Sequence, residues 1–185
     1  MVEALGALPP FAPALELAEK WAIELGKGTV RGQLTSQDGT PQPLLVVDHA
    51  GKVVFVRQER ECLVVFTLVE LQPDALEKVA KLGPDLQRRV FAAFRLQLML
   101  DGRTGYALAP AGVKRMRDVR RVAVEQILKV DRDDPATFNR YADAIQEVVT
   151  TTVRAFSVFG HLLADDGKAG GTSGVGRPPP SLMYR

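Results

Sequence analysis

The run CLVVFTLVEL at residues 62–71 restricts the possible folds of this chain more than any other stretch. Between Leu63 and Val69 every residue except Thr67 is aliphatic or aromatic. In an extended chain successive side chains point to opposite sides, so both faces of such a strand are apolar. It belongs in the middle of a sheet, covered on both sides or meeting a partner subunit with its second face. The run stops at Gln72-Pro73, where a helical pattern takes over.

That helical segment divides into two pieces at Gly83-Pro84, because proline cannot continue a hydrogen-bonded helix. In the second piece Leu86, Val90, Phe94 and Leu98 recur every four residues with Phe91 beside them, a stripe that faces a core. Arg88, Arg89 and Arg95 project outward. Asp101-Gly102 is the expected stop, with Gly102 taking the left-handed conformation.

Two further helices frame the chain. An N-terminal helix is expected over about residues 14–25, with Leu17, Trp21 and Leu25 on one face and Gly26 and Gly28 after it. A long C-terminal helix begins after Asp134-Pro135, an N-cap residue followed by proline in the first turn. Its residues Phe138, Ala142, Ile145, Val149, Thr152, Phe156, Phe159 and Leu163 are spaced alternately by four and three. Residues 148–153 (VVTTTV) are β-branched throughout and individually favour a strand, yet the length of the periodic pattern overrides that preference.

Between these helices lie short β-type runs. Residues 29–36 alternate weakly around Val30 and Leu34, and the Asp38-Gly39 pair marks a hairpin turn. Residues 44–47 (LLVV) and 53–56 (VVFV) flank Asp48-His49-Ala50-Gly51, a second hairpin signal. A polar cluster at 57–61 precedes the strand at Leu63. Residues 104–109 (TGYALA) form a short strand. In 121–130, Val122, Val124, Leu128 and Val130 face one way, and Arg121, Ala123, Glu125, Ile127 and Lys129 the other. The regular spacing indicates an antiparallel meander, so the fold class is α+β: an antiparallel sheet with an N-terminal, a central and a long C-terminal helix.

The domain expected is residues 1–164, with a loose, proline-bearing arm over 1–12 and a disordered Gly/Pro/Ser-rich tail over 165–185. The 46% hydrophobic and 25% charged residues are the balance of a globular protein large enough to bury its own core. With one cysteine, Cys62, the chain forms neither an internal disulfide nor a thiolate cluster. The first residues carry Glu3 and Pro9-Pro10 where a signal peptide needs a basic start and an unbroken apolar stretch. No run reaches the ~20 apolar residues of a membrane span. A cytoplasmic protein with no membrane partner is expected.

The order helix, antiparallel strands, helix, two strands, long helix resembles the fold of the type III secretion chaperones. It is more similar still to a family of small uncharacterised prokaryotic proteins with a chaperone-like α+β fold. CLVVFTLVELQPDALEKVAKL, LQRRVFAAFRLQLML and VAVEQILKVDRDDPATFNRYADAIQEVV carry this resemblance, which spans roughly residues 14–163. It implies helices packed on a sheet, in a dimer. It does not imply a part in secretion, since such folds host several roles.

No arrangement points to catalysis. His49 and His161 lie far from each other and from Cys62 in sequence, no Gly-rich phosphate loop joins a strand to a helix, and no acidic pair stands apart from the charged faces. A non-enzymatic protein with no cofactor or metal is therefore expected. The function expected is that of a homodimeric, chaperone-like interaction module binding a peptide or protein partner through an apolar groove or sheet edge. Leu63, Val65, Val90, Phe94 and Leu98 are the candidate surface. The alternative is a nucleic-acid-associated accessory protein, ranked behind a protein partner, whose phosphate contacts would be Lys114, Arg115, Arg117, Arg120 and Arg121. No aromatic side chain interleaves that cluster to stack a base.

Overall fold

A computed structural model describes residues 11–35, 39–131 and 134–165. The expected arm up to residue 10, the tail from 166 and the Gln37-Asp38 portion of the first hairpin turn lie outside the described residues. The chain begins with helix α1 (Pro13–Glu24) and continues through strands β1 (Thr29–Thr35), β2 (Pro41–His49), β3 (Lys52–Glu59) and β4 (Cys62–Glu70). Helices α2 (Pro73–Lys81) and α3 (Pro84–Met99), strands β5 (Gly105–Ala109) and β6 (Arg121–Lys129), and helix α4 (Ala136–Asp165) complete it. All strand pairs are antiparallel, in one six-stranded sheet of order β1-β2-β3-β4-β6-β5. Strand β4 is internal, between β3 and β6, as its two-sided apolar run requires. Among the described residues no helix is long and apolar enough to cross a membrane.

Local chemistry explains the joints. The β2–β3 turn places Ala50 at φ 53° and Gly51 at φ 72°, and Asp48 Oδ1 accepts the Gly51 N–H at 2.9 Å. Proline opens α1, α2 and α3, where its missing N–H has no intrahelical partner to lose. At the start of α4, Asp134 Oδ1 accepts the Ala136 N–H at 2.9 Å, which caps the helix as expected. The stop after α3 differs from expectation: Gly102 does not take a positive φ. Asp101 forms the turn instead, its Oδ1 accepting the Arg103 N–H at 3.0 Å.

The helices pack on one side of the sheet. Leu45, Val47, Val54, Val56, Leu63, Val65, Val122, Val124 and Leu128 meet buried residues of the helices in a single cluster. Phe94 of α3 stacks edge-on against Phe156 and Phe159 of α4, with ring centres 5.3 and 5.8 Å away. Trp21 of α1 lies 5.5 Å from the ring of Tyr141. Burial pushes the Tyr141 phenol well above its ordinary pKa, so it stays protonated. Thr67 and Thr152 share a hydrogen bond of 2.6 Å between β4 and α4, and Thr152 also donates to Val148 O at 2.7 Å. The β-branched run at 148–153 is helical throughout. Phe11, expected in the loose arm, is buried in this core, with the Arg31 guanidinium 4.4 Å from its ring centre.

Candidate functional site

The other side of the sheet is built from the alternate residues of the same strands. The register places Val30, Leu34, Leu44, Val46, Val53, Phe55, Val64, Phe66, Leu68 and Ile127 on it. Leu44, Val64 and Phe66 are buried there with Leu34, Val46 and Phe55 against them, in a cluster that contains strand residues alone. The rings of Phe55 and Phe66 are 5.4 Å apart, and the Arg57 guanidinium sits 5.3 Å from the Phe66 ring centre. Around this nucleus Val30 is 66% exposed, Ile127 62%, Val53 52% and Leu68 40%. Among the described residues, no helix contributes to the cluster. Large aliphatic side chains therefore stand in water on a continuous sheet face.

The charges on this face are of both signs. Arg57 pairs with Glu59 at 2.7 Å and Arg121 with Glu70 at 2.7 Å. Glu125 and Lys129 lie on the same side of β6, and the half-buried Cys62 lies opposite Lys129 in the register.

The sequence-based surface residues fall elsewhere. Leu63, Val65, Val90, Phe94 and Leu98 are each fully enclosed, at 0% exposure. They hold the helices to the sheet and present nothing to solvent, because they lie on the sides that β4 and α3 turn toward each other's layer. The exposed large apolar residues here are Leu68 on β4, Leu96 and Met99 on α3, and Leu100 just past its end. Consecutive apolar residues at 44–47 and 53–56 were a signal for the outer face, since such runs cannot bury one side only.

The basic residues divide. Lys114, Arg115 and Arg117 line a cavity of about 440 Å³ together with Pro84, Gln87 and Arg88 from the start of α3. Arg121 is paired with Glu70 on the outer sheet face, and Arg120 is exposed between the two places. Arg88 is the residue the local cluster did not reveal. Elsewhere, His49 hydrogen-bonds Gln146 of α4 at 2.9 Å, while His161 lies exposed within α4. Among the described residues no three His, Cys, Asp or Glu side chains are grouped as metal ligands.

No protein-family model matches the chain, and no curated protein matches it. Among solved structures, an uncharacterized protein from Methanothermobacter thermautotrophicus is similar with a TM-score of 0.63 and 14% identity, over 80% of this chain and 97% of that one. YbjN from E. coli aligns with a TM-score of 0.42 and 11% identity, over 85% of this chain and 94% of that one. At 14% identity the first likeness is one of fold: the α+β architecture of an antiparallel sheet with a long C-terminal helix.

Proposed function

We propose that the chain is a non-enzymatic protein-interaction module that associates with a second copy of itself through the outer face of its sheet. The observation that carries this reading is the exposed set Val30, Val53, Leu68 and Ile127 around the Phe55–Phe66 pair. A copy fits better than a strongly charged partner, because the face is apolar at its centre and carries both Arg57, Arg121 and Lys129 and Glu59, Glu70 and Glu125. Under two-fold symmetry such a patch meets itself, and unlike charges find each other across the axis. Two sheets pack face to face about 10 Å apart with interdigitating side chains. The edge strands β1 and β5 stay open in that arrangement for an extended peptide, the chaperone-like part of the proposal.

Mass in solution tests it. The full chain is expected to sediment as a dimer, and Val53→Glu with Ile127→Glu to release monomers of unchanged helical circular dichroism. Val53→Thr with Ile127→Thr keeps β-branched side chains and serves if the charged variant fails to fold. Leu100→Lys, at the exposed end of α3, should leave the dimer intact. A monomeric parent, or a dimer lost through Leu100→Lys but not through the sheet variants, would refute the assignment.

A further inference from the structure

We propose that the cavity between the start of α3 and the loop before β6 binds a compact phosphate-bearing anion of the oligophosphate class. Four of its six lining residues, Arg88, Lys114, Arg115 and Arg117, are cationic, and among the described residues no carboxylate lines it. Among the described residues only two of the four have acidic partners: Arg88 meets Asp85 at 2.5 Å, and Arg117 approaches Asp118 at a loose 3.8 Å. Lys114 and Arg115 make no ion pair among the described residues. Like charges gathered on one concavity repel one another, and a multivalent anion removes that repulsion.

The backbone that carries Lys114, Arg115 and Arg117 is also held in place. Met116, between Arg115 and Arg117, is fully buried, and so is Val119 two residues beyond Arg117. The Val119 N–H donates to Met116 O at 3.1 Å, and Arg120 ties the loop to β5 and to Leu71 through bonds of 2.7 and 2.9 Å. On the opposite wall the Gln87 amide donates to Leu82 O at 2.8 Å, which fixes the turn between α2 and α3. A loop pinned by two core side chains has less freedom to lose when a ligand orders its basic residues. Arginine forks match phosphate oxygens, while the lysine supplies a point charge.

Size and composition narrow the ligand. At about 440 Å³ the cavity lies in the range of small-molecule sites. Among the described residues no aromatic lines it, so it offers phosphate contacts and no platform for a base. It stands apart from the outer sheet face and does not depend on the dimer proposed above.

Calorimetric titration of the full chain with inorganic tripolyphosphate at low salt tests the site. Binding is expected, and Lys114→Glu with Arg115→Glu should weaken it about tenfold or more, as loss of charged hydrogen bonds does. The charge-matched pair Lys20→Glu with Lys27→Glu, at α1 and away from both the cavity and the outer sheet face, should leave it within about twofold, an effect of screened long-range charge alone. Absence of binding, or equal weakening by both pairs, would overturn the site. A single-stranded oligonucleotide titrated in parallel separates the sources of phosphate: binding that tripolyphosphate does not displace would overturn the compact ligand in favour of a polymer backbone.

Discussion

The two faces of the sheet share every strand, and their fates differ. The inner face carries Leu45, Val47, Val54, Val56, Leu63, Val65 and Val124 at 0% exposure under the helices. The outer face keeps a small buried nucleus at Leu44, Val64 and Phe66 and leaves Val30, Val53 and Ile127 more than half exposed. Alternation along a strand makes both patterns from similar residues. What separates them is the helical layer: α1, α3 and α4 bring Leu15, Phe94, Ile145 and Phe156 to one side only. The inner face is therefore expected to carry the stability of the chain, and the outer face to contribute little to it.

The largest effect tests that division directly. Phe94→Ala removes a ring in contact with Phe156 and Phe159, and should cost about 3–5 kcal/mol in urea unfolding. A loss under about 1 kcal/mol would mean that the helical layer is not what holds the inner face. Next comes Thr67→Val, which strips a buried hydrogen bond and should cost about 1–3 kcal/mol. Adding Thr152→Val removes the other hydroxyl as well, so the double variant should be more stable than the sum of the single losses; strict additivity would show that the two hydroxyls are not coupled. On the outer face Ile127→Thr, measured in the monomer, should change stability within about 0.5 kcal/mol while weakening association. A core-sized loss from Ile127→Thr would erase the contrast between the faces.

The smallest effect concerns the border between α1 and β1. Arg31 hydrogen-bonds Glu19, with Nε 2.9 Å from Oε1, and this holds the Glu19 carboxyl below its ordinary pKa. A depressed folded pKa stabilises the protein above the unfolded carboxylate value. That stabilisation is lost as pH falls through the folded value. Glu19→Gln should therefore flatten the acid limb of the stability–pH curve and leave the inner-to-outer contrast unchanged.

Much of the fold was legible before any coordinates. The four-residue rhythm of Val90, Phe94 and Leu98, the cap at Asp134, the break at Gly83-Pro84 and the continuous run at 63–69 all led to elements of the expected kind and place. Gly102 misled because a glycine after a helix favours a left-handed stop, whereas the Asp101 carboxylate was there to organise a turn without one. The candidate surface was legible by element and not by side. Leu63 and Phe66 are both apolar neighbours in one strand, and nothing local says which of them meets a helix.

Periodicity is a local property, set by backbone geometry, and it sufficed to determine which residues share a face. Which face is covered depends on where distant helices settle. That is why the side of β4 that meets the helices, Leu63 or Phe66, was settled only in three dimensions, whereas the charges alongside Ile127 already set its face apart in the sequence. The same reason applies to the basic cavity: Lys114, Arg115 and Arg117 are neighbours in the chain, but Arg88 joins them because α3 packs against the loop that Met116 anchors.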